Sequence, residues 1–156
     1  SLFGGQTLHE LRSALAEAEV RTTGGLSPRI LPMGEIRDMG GLLQRAGLAL
    51  PVADSVSLTV SYADPFSLMR DLRAMGEGNA LDARLRRPTR RAVLEEAARI
   101  YIEQHGDTEG RIPATFEMIF LSGWAPDASQ PKPLRPGSAQ ARLADALGSV
   151  ESKLRD

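Results

Sequence analysis

RIPATFEMIFLSGW, residues 111–124, decides how this chain folds. Pro113 lacks a backbone donor, which suits the start of a strand and not its middle. From Ala114 the residues alternate. Phe116, Met118 and Phe120 point to one side, while Thr115, Glu117, Ile119 and Leu121 point to the other. A period of two is the strand repeat. The same repeat runs through residues 55–62, where Val56, Leu58, Val60 and Tyr62 alternate with Ser57, Thr59 and Ser61. This strand is expected to bury its apolar face and turn its polar face to water. The two strands are predicted to lie antiparallel in one small sheet with helices packed on it, a mixed α/β fragment.

Outward from these strands the period changes to that of helices. Leu8, Leu11, Leu15 and Ala18 predict a helix to about Glu19, with Thr7 as its cap and Glu10 completing a capping box. Thr22-Thr23-Gly24-Gly25 breaks the chain, and residues 26–32 form a loop with Pro28 and Pro32. A second helix is predicted over 33–46, its apolar face Ile36, Met39, Leu42 and Leu43, ended by Gly47. Asp64-Pro65 opens a short helix with Phe66, Leu68, Met69 and Leu72, which stops near Gly76-Glu77-Gly78-Asn79. Thr89 is expected to cap the next helix, which carries Val93, Leu94, Ala97, Ile100 and Tyr101 to Gly106. Residues 125–137 hold four prolines and read as an extended linker. Residues 138–156 read as a C-terminal helix with a thin apolar stripe, so the first part of the chain is 1–124.

Composition narrows the function. The 156 residues suit one domain, and 42% apolar content is enough for a core. A net charge of −1 with 4% aromatics argues against a nucleic-acid binder. The chain has no cysteine, which excludes disulfides and thiolate metal sites. No apolar run approaches the ~20 residues that cross a bilayer, and no signal peptide opens the chain. A cytoplasmic location is the simplest expectation. The first residue is Ser1 and not methionine, which suggests a processed product or a fragment.

Several pieces resemble a known superfamily. They are FGGQTLHELR, GGLSPRI, DLRAMGEGNA, PATFEMIFLSGW and SQPKPLRPGSA. Together they resemble the C-terminal half of a class I S-adenosylmethionine-dependent methyltransferase, a Rossmann-like fold. On that resemblance LFGG is the tail of the fifth strand, residues 55–62 are the sixth and residues 114–124 the seventh. Residues 63–113 are then an insertion over the substrate side. The likeness is strongest to the methyltransferase-fold assembly factors of mitochondrial respiratory complex I, which act as arginine hydroxylases on a complex I subunit. A second likeness, in LMRDLRAMG and PATFEMIF, is to the biotin-pathway enzymes that methylate malonyl-acyl carrier protein. The superfamily binds its cofactor with a Gly-rich turn after the first strand, and no such turn in that context occurs here. The resemblance therefore implies S-adenosylmethionine in a full-length parent, no cofactor in this fragment, and no activity by the fragment alone. Its implied partners are the missing N-terminal half and a protein, small carboxylate or acyl-carrier substrate. The alternative is a complex I assembly or protein-interaction module.

Candidate acceptor-side residues follow, each beside a plainer reading. Gln6 and Thr7 follow strand five at the carboxyl edge, where α/β folds place ligands, or they serve the helix start. Arg70 and Arg73 can orient a carboxylate or phosphate, or form a solvated helix face. Asn79, with Gly76 and Gly78, can shape a lid turn, or end a helix. Tyr62 and Glu117 can face the cleft from their strands, or Glu117 can pair with a base or meet water. Arg84, Arg86, Arg87, Arg90 and Arg91 read as a solvated loop and helix start. His9 and His105 lack metal-ligand spacing, and no catalytic residue is assigned. With strand five reduced to Leu2-Phe3, residues 114–124 are expected to expose an unpaired edge, which predicts a homo-oligomer.

Overall fold

The computed structural model describes residues 1–130 and the single positions 138, 147 and 148. The chain divides into two units, Ser1–Ala125 and Pro126–Asp156. Most of the expected linker over 125–137, and nearly all of the expected helix over 138–156, lie outside the described residues.

The first unit runs β1 (Leu2–Phe3), α1 (His9–Thr23), α2 (Ile36–Arg45), β2 (Ala49–Tyr62), α3 (Pro65–Ala74), α4 (Arg91–His105) and β3 (Ile112–Trp124). The strands form one antiparallel sheet in the order β1-β3-β2. This mixed α/β arrangement is consistent with part of a Rossmann-like fold. Strand β2 starts earlier than the alternation predicts, at Ala49. Its first residues are irregular, with a register shift between Ala49 and Val52 and Leu50 at φ 48°. Pro51 falls within that irregular stretch, as expected for a residue that cannot donate to a ladder.

Register assigns the faces. Val56 pairs with Met118, Leu58 with Phe116, Val60 with Ala114 and Tyr62 with Ile112, so these side chains share one face. Ser55, Ser57 and Thr59 oppose Ile119, Glu117 and Thr115 on the other. Helices α1, α3 and α4 cover the first face at its Ile112–Ala114 end, and Tyr62 and Phe116 pack against the same core. There Leu11, Ala14, Leu68, Val93, Ile100 and Tyr101 join the two strand residues in the core. Helix α2 lies against β2, with Gly40 beside Ala53 on the second face. One expectation is overturned here: the apolar residues of β2 are not buried, and Leu58 is 49% exposed. Alternation fixes which residues share a face. It does not supply a layer to cover that face.

The helix ends also correct the sequence reading. Helix α3 opens at Asp64-Pro65 as expected, and Asp64 caps it, accepting from the amides of Phe66 and Ser67 with Pro65 at the first helical position. Thr7 does not cap α1. The helix starts after Leu8, which has a left-handed backbone and gives no side-chain cap. Thr7 instead donates to the Glu117 carbonyl and accepts from the Glu117 amide, at 3.1 and 3.0 Å. Nor does Glu10 form a capping box, because its buried carboxylate accepts from the amide and hydroxyl of Thr115. Thr89 likewise caps nothing. Its hydroxyl accepts from Arg29, and α4 starts after Arg90.

These contacts overturn the expected open edge of β3 across residues 115–119. Leu2 and Phe3 pair with Ile119 and Met118, and Gly4 donates to the Glu117 carbonyl. Leu8 donates to the Thr115 carbonyl, and Thr7 and Glu10 serve the amides of Glu117 and Thr115. Thr7→Val keeps the shape but orphans the Glu117 amide. It is expected to lower stability by about 1–3 kcal/mol, read as a fall in the urea midpoint at constant slope.

Candidate functional site

A cavity of about 290 Å³ lies between α1, α3, the β1–β3 side of the sheet and two long loops. Leu8 just before α1, Leu11 and Leu15 of α1, Met69 and Leu72 of α3, and Phe116 of β3 make its apolar floor. The helical repeat places these residues. Leu11, Leu15 and Ala18 recur on one face of α1, and Leu68 and Leu72 anchor α3 in the core while Met69 and Arg73 reach the cavity. Met33, Met69 and Met75 are three of the chain's five methionines and give the walls an adaptable, polarisable surface.

The two loops form the roof. Residues 24–35 contribute Arg29, Ile30, Leu31 and Met33, and residues 75–90 contribute Met75, Glu77, Gly78 and Asn79. Asn79 ties one loop to the other, donating to the Pro28 carbonyl at 2.9 Å and accepting from the Leu81 amide at 3.1 Å. Arg29 ties both loops to α1. It grips Glu19 with two nitrogens, at 3.1 and 2.8 Å, and donates to Thr89 at 2.8 Å. Glu19 also accepts from the amide and hydroxyl of Ser27. Burial works to raise the Glu19 carboxyl, but the hydrogen bonds from Arg29 and Ser27 outweigh it and hold the group below its usual value. The Arg29 charge is therefore spent within the protein. Arg73 lines the same cavity and has no ion-pair partner among the described residues.

Of the sequence-predicted residues, the cavity brings together Thr7, Arg73, Gly78 and Asn79. It leaves out Gln6, Tyr62, Arg70, Gly76 and Glu117. Arg70 donates to Ser67 within the α3 cap network. Tyr62 packs against the core, where burial and then Asp71 raise its pKa. Glu117 accepts from the Gln6 amide at 2.9 Å, so these two residues fix the turn after β1. Sequence reading missed Glu19, Ser27, Arg29 and Thr89 as a latch. The stretch GLSPRI held the signal, but its partners lie 8 and 60 residues away.

The glycines after β1 leave no open cradle for a cofactor. Gly4 and Gly5 are the glycines that directly follow β1, as a cofactor turn requires. The space over them is filled: side chains there would collide with the carboxylates of Glu117 and Glu35. Among the described residues no cluster of ligating side chains could hold a metal ion, and no helix is long and apolar enough to cross a membrane.

No protein-family model matches the chain. It is 42% identical over 150 residues to an arginine-hydroxylase NDUFAF5, mitochondrial, of Dictyostelium discoideum, covering 96% of this chain and 34% of that protein. It is 40% identical over 154 residues to the protein of the same name from Danio rerio, covering 97% and 48%. A malonyl-[acyl-carrier protein] O-methyltransferase of Halorhodospira halophila is 39% identical over 125 residues, covering 78% and 39%. The homologues of this chain thus fall in two families of the class I S-adenosylmethionine-dependent methyltransferase fold, NDUFAF5 arginine hydroxylases and malonyl-carrier-protein methyltransferases, as the sequence motifs imply. The chain spans about a third to a half of the length of these curated relatives.

Proposed function

We propose that this chain is the acceptor-side region of a methyltransferase-fold enzyme whose cofactor is held by another part of the full-length polypeptide. The observation that carries the reading is the latched cavity. It is apolar, roofed by two pinned loops, and supplied with Arg73, which has no ion-pair partner among the described residues. Catalysis by group transfer needs an acceptor held in a fixed orientation. A carboxylate-bearing acceptor, small or carried on a protein, meets Arg73 at the wall while its apolar part fills the methionine-rich floor. Titration of S-adenosylmethionine into this chain is expected to show no binding, and micromolar binding would overturn the division of labour. Transfer of labelled methyl by the full-length polypeptide tests the chemistry.

A second reading is that the full-length protein serves respiratory complex I as an arginine hydroxylase or assembly factor. The extent of the match favours it: the NDUFAF5 relatives match 96% and 97% of the chain, the methyltransferase relative 78%. Recovery of complex I subunits in a pulldown, without methyl transfer, selects this reading. Cytoplasmic location rests on composition alone, whereas the names of these relatives carry the word mitochondrial.

Arg73→Ala separates a binding role from a structural one. Arg73 is exposed on α3, so its truncation is expected to leave stability within about 0.5 kcal/mol. Loss of a charged contact to substrate is worth about 2 kcal/mol and appears as a raised KM in the full-length enzyme. An unchanged KM removes Arg73 from the site. Arg70→Ala, which perturbs only the α3 cap network, is the control and is expected to leave KM unchanged.

A further inference from the structure

A second charge stands in the cavity wall near Arg73. Glu77 lines the same space. The two residues are four apart, a spacing at which arginine and glutamate pair along a helix. They do not pair here, and neither has an ion-pair partner among the described residues. The end of α3 explains why. The helix stops at Ala74, and Gly76 takes a left-handed backbone with φ 84°. The Glu77 amide donates to the Leu72 carbonyl at 2.9 Å, and the Gly76 amide to the Arg73 carbonyl at 3.1 Å. These are the two hydrogen bonds of a Schellman end. The chain reverses there, so Arg73 stays on the helix while Glu77 enters the roof. Two residues on, Asn79 is tied to the Pro28 carbonyl. The Glu77 backbone is thus held on both sides, and its carboxylate lines the cavity without a counter-ion among the described residues.

The charge balance of the lining narrows the ligand. Arg29 also lines the cavity, but Glu19 neutralises it. Among the described residues, one cation and one anion remain above the apolar floor. A plain carboxylate that meets Arg73 brings a like charge into the same cavity of about 290 Å³ as Glu77. That repulsion grows as water leaves. A plain cation meets the mirror problem at Arg73. A ligand with both charges satisfies each wall and leaves no desolvated group unpaired. The geometry points to a small zwitterion of the amino-acid class as the acceptor. Its carboxylate meets Arg73, its cationic nitrogen meets Glu77, and its carbon skeleton lies on the methionine-rich floor. The inference rests on reading this cavity as the acceptor site, and narrows that reading from any carboxylate to a doubly charged one. Glu77 is then the specificity residue, which favours the zwitterion over the plain acid.

Calorimetric titration of this chain with a matched set of probes tests the pairing. Norleucine, β-alanine, γ-aminobutyrate and ε-aminocaproate carry both charges at different separations, while caproate and hexylamine carry one each. The best zwitterion is expected to bind about tenfold tighter than either single-charge probe, the worth of one charged contact. In Glu77→Gln that zwitterion is expected to weaken to the level of caproate, and caproate to bind no worse than before. In Arg73→Gln the zwitterion is expected to weaken to the level of hexylamine. Both variants replace exposed side chains, so an unchanged Tm checks that they fold. Caproate binding as tightly as every zwitterion overturns the inference and leaves the Arg73 acceptor reading in place. A zwitterion advantage that survives in Glu77→Gln overturns the role of Glu77. Absence of binding by every probe also overturns the inference, whereas labelled-methyl transfer by the full-length polypeptide still decides the acceptor-side reading, so the two fail separately.

Discussion

Glu19→Gln is expected to destabilise the first unit by about 3 kcal/mol and to unlatch the roof of the cavity. The Glu19 and Arg29 side chains are 7% and 15% exposed, so the ion pair is largely withdrawn from water. Within such a pair the loss of one partner costs more than the pair contributes, because the other charge is left desolvated. Arg29 would face that penalty with a neutral amide oxygen in place of the carboxylate and with Thr89, its other partner among the described residues. Ser27 would lose a charged acceptor for both its amide and its hydroxyl. The loop 24–35 holds no helix or strand of its own, so its placement depends on these contacts. The expected signature is a lower urea midpoint together with faster amide exchange in residues 24–35 and 75–90, since Asn79 couples the loops through the Pro28 carbonyl.

The same pair sets an acid limit. The folded pKa of Glu19 lies below its usual value of 4.5. A depressed carboxyl contributes stability that is fully present above the unfolded pKa and is lost as pH falls through the folded one. The protection factors of the loop amides in the unaltered chain, measured against their intrinsic rates at each pH, should therefore fall as pH drops below about 4.5. In Glu19→Gln that component should be missing. An equal acid response in both proteins would show that other carboxylates hold the loops.

The sheet was legible in the sequence because strand alternation is local. Residues 55–62 and 114–124 announced their shared faces without any knowledge of their neighbours. What covered those faces was not legible, and Val56, Leu58 and Val60 turned out to be exposed. The cap residues failed for a related reason. Thr7 and Thr89 stand where caps belong, but a hydroxyl takes whichever partner the tertiary fold brings closest, here Glu117 and Arg29. Asp64-Pro65 opened its helix as read, and the partners of the Asp64 carboxylate are two and three residues away. Arg73 and Asn79 reached the cavity for reasons visible in helix period and turn chemistry. Arg70, one helical step from Arg73, faces the cap of its own helix instead. The Glu19–Arg29–Thr89 latch joins three segments, and no local pattern marks a carboxylate for an arginine ten residues on.

Leu68→Ala is expected to be as damaging, at about 3 kcal/mol, by a different route. Leu68 is fully buried, and with Leu72 it holds α3 against the core formed by α1 and α4. Removing its isobutyl group forfeits transfer energy and leaves a void that the surrounding helices fill only in part. α3 has just ten residues, too short to be stable without its packed face. Its loosening displaces Met69, Leu72 and Arg73 from the cavity together, so ligand binding by the full-length enzyme should fall along with Tm. Met69→Ala is the discriminating comparison. Met69 is half-buried at the edge of the core and lines the cavity, so its truncation widens the cavity at a smaller cost in stability. If Leu68→Ala and Met69→Ala lower Tm equally, α3 is not anchored through Leu68. If Leu68→Ala lowers Tm but leaves substrate KM untouched, α3 does not form the wall at which the acceptor is held. The two substitutions, one residue apart on a ten-residue helix, thus ask separately what fixes the helix and what the helix presents.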